Sequence, residues 1–245
     1  GRFGRVEERQ RLHANATGCA RHHHGSRAVG VQTLRGRVSE AGEQLPGLPA
    51  GAFDKIDTAP DPEFYDFPRF VTHIDDAAIA AVTAIYAEFL PPGGAILDLM
   101  SSWVSHLPDV AYGSVVGHGM NAEELAANPR LSRWFVQDLN ADPVLPEQDA
   151  AFDGAGLCVS VQYLQRPVDV FREVRRVLRP DAPFVVSFSN RCFPTKAVRI
   201  WRAMGGPDQL ALVGAYMRQA GFSRVTGRTW TPPDSDPLWA AIAMA

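Results

Sequence analysis

The chain has 245 residues, 46% of them hydrophobic and 21% charged, enough for one sizeable α/β core with some additional material. No apolar run approaches the roughly 18 residues that span a bilayer, which excludes a transmembrane helix. The formal charge of −3 is unevenly spread: residues 1–37 hold eight arginines against Glu7 and Glu8, so the rest keeps 16 basic and 25 acidic residues, a net of −9. An acidic main body argues against nucleic acid as the partner of its principal surface, leaving only the N-terminal arginines for such a role.

Arginine outnumbers lysine 22 to 2, which reads as a coding bias before it reads as chemistry. Cys19, Cys158 and Cys192 are odd in number and far apart, so they read as reduced thiols in a cytoplasmic setting and not as a disulfide framework.

Residues 1–51 show no sustained apolar period and end in the turn-rich Leu45-Pro46-Gly47-Leu48-Pro49-Ala50-Gly51, the pattern of a disordered leader. Their Arg-rich, acid-poor composition also suits the remnant of an organelle transit peptide. His22-His23-His24, close to Cys19, is too weak a cluster to assign a metal site. Ordered structure is expected from about residue 62, and residues 52–94 as a helical lid or substrate segment ahead of a main domain over 95–245.

Asp75 and Asp76 cap a predicted helix with apolar positions Ile79, Val82, Ile85, Tyr86 and Phe89, stopped by Pro91-Pro92-Gly93-Gly94. Strands are then expected at 95–100, 114–118, 133–137, 154–160 and 183–189. Between them lie helices at 121–127, begun by an Asn cap, and 167–178, with Val168, Phe171, Val174 and Leu178 on one face. A helix over 207–220 ends at Gly221, and two closing strands, 223–230 and 238–244, flank a Pro- and Asp-rich connection. This alternation predicts an α/β, Rossmann-like, mostly parallel sheet with helices on both faces.

Function in such sheets sits beyond the carboxyl ends of the strands. Those ends read Ile96-Leu97-Asp98-Leu99-Met100-Ser101-Ser102-Trp103, Val115-Val116-Gly117-His118-Gly119-Met120-Asn121, Phe135-Val136-Gln137-Asp138-Leu139-Asn140 and Cys158-Val159-Ser160-Val161-Gln162-Tyr163. The following helix reads Arg172-Glu173-Val174-Arg175-Arg176-Val177-Leu178-Arg179-Pro180. This succession resembles the class I S-adenosylmethionine-dependent methyltransferases of the small-molecule type, over about residues 90–245. The loop DLMSSW is similar to loops of proteins classed as methyltransferases.

The resemblance implies a seven-stranded sheet with an antiparallel last strand, S-adenosyl-L-methionine as cofactor across the first three strand ends, and a small-molecule acceptor. It assigns Asp98 and the loop Met100, Ser101 and Ser102 to the cofactor's amino-acid end, and Asp138 and Leu139 to the adenine, with Ser160 at the fourth strand end. Two departures stand out. The loop glycines are replaced by Met100, Ser102 and Val104, and the ribose-binding acid by Gly119, with Asn121 as the nearby amide. His73 and His106 are the candidate general bases. Tyr65, Phe70, Tyr163, Asn190 and Arg191 are the candidate acceptor residues, Arg191 suiting an acidic group.

A nicotinamide dehydrogenase would carry G-x-G-x-x-G after the first strand, where Met100-Ser101-Ser102 stands instead. The stronger rival is a catalytically degenerate methyltransferase fold kept as a binding or scaffold protein.

Overall fold

The computed structural model describes residues 45–245. Of the leader expected over residues 1–51, the stretch 1–44, with Cys19 and the histidine run, lies outside them. Packing begins earlier than residue 62, which corrects that expectation. Ala52 and Phe53 are buried. The Ala52 and Asp54 carbonyls each accept a backbone bond at 2.8 Å, from Ile200 and Arg199, and the Asp57 amide donates to Thr195 at 2.9 Å. A segment with little apolar period is therefore held by backbone pairing and, as argued below, by buried charge.

Six helices follow: α1 (Asp61–Tyr65), α2 (Asp76–Phe89), α3 (Ala122–Ala127), α4 (Pro167–Val177), α5 (Arg199–Arg202) and α6 (Gly206–Gln219). They alternate with β1 (Ala95–Leu99), β2 (Ser114–Gly119), β3 (Arg133–Val136), β4 (Gly154–Cys158), β5 (Pro183–Ser189), β6 (Ser223–Trp230) and β7 (Leu238–Met244). A 3-10 turn, Val161–Tyr163, follows β4. None of the helices is long and apolar enough to cross a membrane.

The strands form one sheet in the order β3-β2-β1-β4-β5-β7-β6, parallel except for β7, which runs antiparallel to both neighbours. This is the predicted Rossmann-like sheet with its antiparallel last strand. Side chains alternate between its faces. Leu97, Leu99, Leu157, Phe184 and Val186 enter the core shared with Phe171 and Val174 of α4 and Val213 and Met217 of α6. Ile96, Val185, Ala240 and Ile242 enter a second core with Val82 and Tyr86 of α2.

Caps set the helix ends as the sequence suggests. The Asp75 carboxylate accepts from the Ala78 amide at 2.8 Å, and that bond is the largest influence holding its pKa below the usual carboxylate value. Asn121 caps α3. Gly221, at φ +93°, closes α6 in the left-handed region that glycine enters without penalty.

Candidate functional site

Strand order reverses between β1 and β4, the place where open α/β sheets hold their ligands. A cavity of about 450 Å³ lies there, within the range typical of small-molecule sites. The strand ends supply Met100, Ser101, Ser102, Gly119, Asp138, Leu139 and Ser160 to its wall, and the end of α1 with the segment after it adds Tyr65, Arg69 and His73.

In the loop after β1, one of the three positions expected to be glycine, Met100, keeps a left-handed backbone. Met100 stands at φ +54° and Val159, across from it after β4, at φ +49°. Such positions cost a non-glycine residue about 1–3 kcal/mol and persist where the surroundings over-determine them. Here the Met100 amide donates to His118 Nδ1 at 3.1 Å, the Ser101 amide to the His118 carbonyl at 2.6 Å, and the Ser160 hydroxyl to the Met100 carbonyl at 3.3 Å. His118 Nε2 then pairs with the Gln137 carbonyl at 2.9 Å, which assigns the neutral Nε2–H tautomer. Burial pushes the pKa of His118 down to about 4. His118 thus ties the ends of β1, β2 and β3 together. A lone histidine ending an apolar strand was the only sequence signal for this role.

Gly119 has a steric explanation. A Cβ there would lie 2.5 Å from the Ser101 carbonyl oxygen, so the loop occupies the space an acidic side chain would need. Gly119→Ala is expected to destabilise the fold by about 1–3 kcal/mol, the usual cost of overpacking. Urea unfolding checks this; an alanine variant as stable as the parent would mean that the loop yields freely.

Asn121 does not offer the free amide expected of it. Its Nδ2 donates to the Tyr65 and Asp66 carbonyls at 2.9 and 3.0 Å, and its Oδ1 accepts from the Glu123 and Glu124 amides. It is a cap and a tether for the covering segment. The acid facing this end of the cavity is Glu124, whose oxygens accept from the Arg69 amide at 2.7 Å and the Ser102 hydroxyl at 2.6 Å. Its place three residues after the Asn121 cap resembles a capping box, but the carboxylate turns to the loop instead.

Asp98 and His106 also differ from expectation. Both line a smaller adjoining cavity of about 80 Å³, behind the loop. Asp98 is buried and accepts from the Ser101 and Ser105 hydroxyls. Burial raises its pKa, and the two serines partly oppose the rise. Burial lowers the pKa of His106, but the ring faces the back of the loop and not the main cavity.

Beyond β3, Asp138 lines the cavity, one carboxylate oxygen accepting from the Asn140 amide at 2.9 Å and the other without a partner among the described residues. Leu139 is buried beside it. Asn140 spans from Asp61 Oδ2 at 2.9 Å to the Tyr163 carbonyl at 3.0 Å.

The side beyond β4 and β5 is aromatic. Tyr163 stacks on Phe193 at 5.9 Å, and its hydroxyl accepts from the Phe193 amide at 2.9 Å. Burial pushes the Tyr163 pKa up to about 12. His73 meets Phe193 edge-to-face at 5.3 Å, and desolvation lowers its pKa, which favours the neutral base. Arg191 Nε donates to Asp236 at 2.7 Å on the cavity edge. Asn190 is exposed and outside the cavity lining, its Oδ1 accepting from Ser189. Phe70 is likewise outside, half exposed against Trp103. Glu124, Arg69, Phe193 and Asp236 are site residues that sequence reasoning did not single out.

Residues 101–186 match the methyltransferase-domain family. The chain is 26% identical over 136 residues to the biotin biosynthesis bifunctional protein BioHC of Teredinibacter turnerae, a match covering 52% of this chain and 23% of that protein. The chain thus spans under a quarter of that relative.

Among solved structures, it resembles the Burkholderia thailandensis 1,6-didemethyltoxoflavin-N1-methyltransferase, solved with 1,6-didemethyltoxoflavin and S-adenosylhomocysteine bound. Identity is 17%, the TM-score 0.53, and coverage 69% of this chain and 79% of the other. It also resembles the [4+2]-cyclase SpnF, at 17% identity and a TM-score of 0.51, covering 67% and 80%. At such identity these likenesses show the fold alone.

Proposed function

We propose that this chain, with its class I methyltransferase fold and a methyltransferase-domain match over residues 101–186, transfers a methyl group from S-adenosyl-L-methionine to a small-molecule acceptor. The carrying observation is the cavity at the sheet's switch point, where Met100 keeps a glycine-type backbone and Asp138 keeps an open carboxylate oxygen.

The residues present fit the cofactor. Asp138 and the backbone of Leu139 would hold the adenine, and the Met100–Ser102 loop the amino-acid end. Glu124 would take the ribose, since each of its oxygens accepts one bond and a carboxylate offers about four acceptor positions. Asp98 acts on the cofactor indirectly, by fixing Ser101 and Ser105. The bound cofactor supplies an activated methyl carbon on a sulfonium.

The chain's own part is alignment, desolvation and proton removal. The segment from Tyr65 to His73 covers the cavity and excludes water. His73, whose lowered pKa favours the neutral ring, would take the proton that the acceptor gives up on methylation. His106, behind the loop, has no part in that step.

Calorimetric titration of S-adenosylmethionine and S-adenosylhomocysteine into the full chain and Asp138→Ala tests this. Micromolar binding is expected, weakened tenfold or more in the variant, a loss of about 1.4 kcal/mol. The scaffold reading has one observation in its favour, the closure of the ribose-acid position by the Ser101 carbonyl. Absence of binding at millimolar ligand by the folded chain would decide for the scaffold.

A further inference from the structure

We infer that the acceptor is a planar aromatic or heteroaromatic acid, its ring against the wall formed by Tyr65, His73, Tyr163 and Phe193 and its acidic group on Arg191. This deepens the methyl-transfer reading and rests on it for the position of the reacting atom.

The cavity divides chemically along the sheet. Its β2–β3 side carries the carboxylates of Glu124 and Asp138, while its β5 side carries rings and the Arg191 guanidinium, with Asp236 bonded to its Nε. The rings converge on Phe193, which meets His73 at 5.3 Å, Phe64 at 5.2 Å and Tyr163 at 5.9 Å. An array of edge-to-face and offset contacts accepts one more flat ring by the same geometry.

Such an aromatic wall would also suit a quaternary ammonium, but here that role is filled. The Arg69 guanidinium lies 4.6 Å from the Phe64 ring centroid, 5.9 Å from Tyr65 and 5.5 Å from Phe193. It is fixed by bonds to the Phe64 and Phe67 carbonyls. A second cation on these rings would face like charge, whereas an electron-rich ring or an anion would not.

Arg191 supplies the anion's partner. Its Nε is held by Asp236, whose other oxygen accepts from the Asp75 amide at 3.1 Å. The side chain is 61% exposed at the cavity edge. Its terminal Nη groups have no partner among the described residues and present the fork that binds a carboxylate with two bonds. Asp236 therefore aims the guanidinium while leaving its end open.

The test titrates three probes into the full chain, with and without saturating S-adenosylhomocysteine: 1-hydroxy-2-naphthoate, 1-naphthol and cyclohexanecarboxylate. The naphthoate is expected to bind at least tenfold more tightly than either other probe. Arg191→Gln should remove its advantage over 1-naphthol without weakening 1-naphthol, and Phe193→Leu its advantage over cyclohexanecarboxylate. An advantage below tenfold, or equal losses for all probes in Arg191→Gln, overturns the inference. Circular dichroism confirms that each variant is folded. Cofactor-product binding without probe preference sinks the acceptor assignment alone. Probe preference without cofactor-product binding sinks methyl transfer and leaves a site for aromatic acids.

Discussion

Replacing Lys196 by methionine is expected to lower the unfolding free energy by about 3–5 kcal/mol, the range for removing one partner of a buried ion pair. Lys196 is fully buried. Its ammonium meets three acceptors: the Ala59 carbonyl at 2.7 Å, Asp57 Oδ2 at 3.2 Å and Asp61 Oδ1 at 3.4 Å. Three acceptors match the three N–H bonds of a lysine ammonium. Lys55, also buried, reaches the other oxygen of Asp61 at 2.5 Å. Methionine keeps the length and volume of the stem, so the loss reports the charge and not a void. It leaves Asp61 with one cation and the segment 52–61 with its backbone bonds to the chain after β5. Urea unfolding at pH 7 should show a lower midpoint at unchanged slope, and a loss below about 1 kcal/mol would show that the cluster contributes little. Asp61 also anchors Asn140 beside Asp138, so cofactor affinity should fall in the same variant.

This cluster shows where the sequence was readable and where it was not. The arginine excess is a bias of composition, but the chain's two lysines are both in the one buried cluster. A compact ammonium fits where a planar guanidinium would not. Their rarity was visible in the sequence; their meeting, across some 140 residues, was not. The strands and long helices were legible because apolar period and caps are local, so β5, β6 and β7 match their expected bounds residue for residue. The packed segment 52–61 was missed because buried charge and backbone pairing leave no period.

At the site, alignment with a known pattern placed Asp138, Leu139, Ser101 and Ser102 on the cavity. Asn190 and Phe70 lie outside that lining, His106 lines the smaller adjoining cavity, and Asn121 lines the main one with its side chain already bonded. Whether a polar side chain is free or already bonded depends on partners distant in sequence, such as the Tyr65 and Asp66 carbonyls that occupy Asn121.

His118 yields the second large effect, a dependence of stability on pH. Its folded-state pKa is depressed from the ordinary 6.5 to about 4, chiefly by burial. The unfolded chain therefore binds a proton between these values that the folded chain does not. The stability contributed by neutral His118 is complete above pH 6.5 and is lost as the pH falls toward 4. The linkage slope is about 1.4 kcal/mol per pH unit, or about 3 kcal/mol over the interval. The structural reason is that Nδ1 must stay unprotonated to accept the Met100 amide. A proton there would release a residue held at φ +54°. Glutamine at 118 has an oxygen for the Met100 amide and an N–H for the Gln137 carbonyl but does not titrate. His118→Gln should therefore be shallower than the parent by about 3 kcal/mol when urea unfolding is compared at pH 7 and pH 4. Parallel profiles for the two proteins would mean that His118 protonates without cost, and that the loop after β1 is held by something other than this ring.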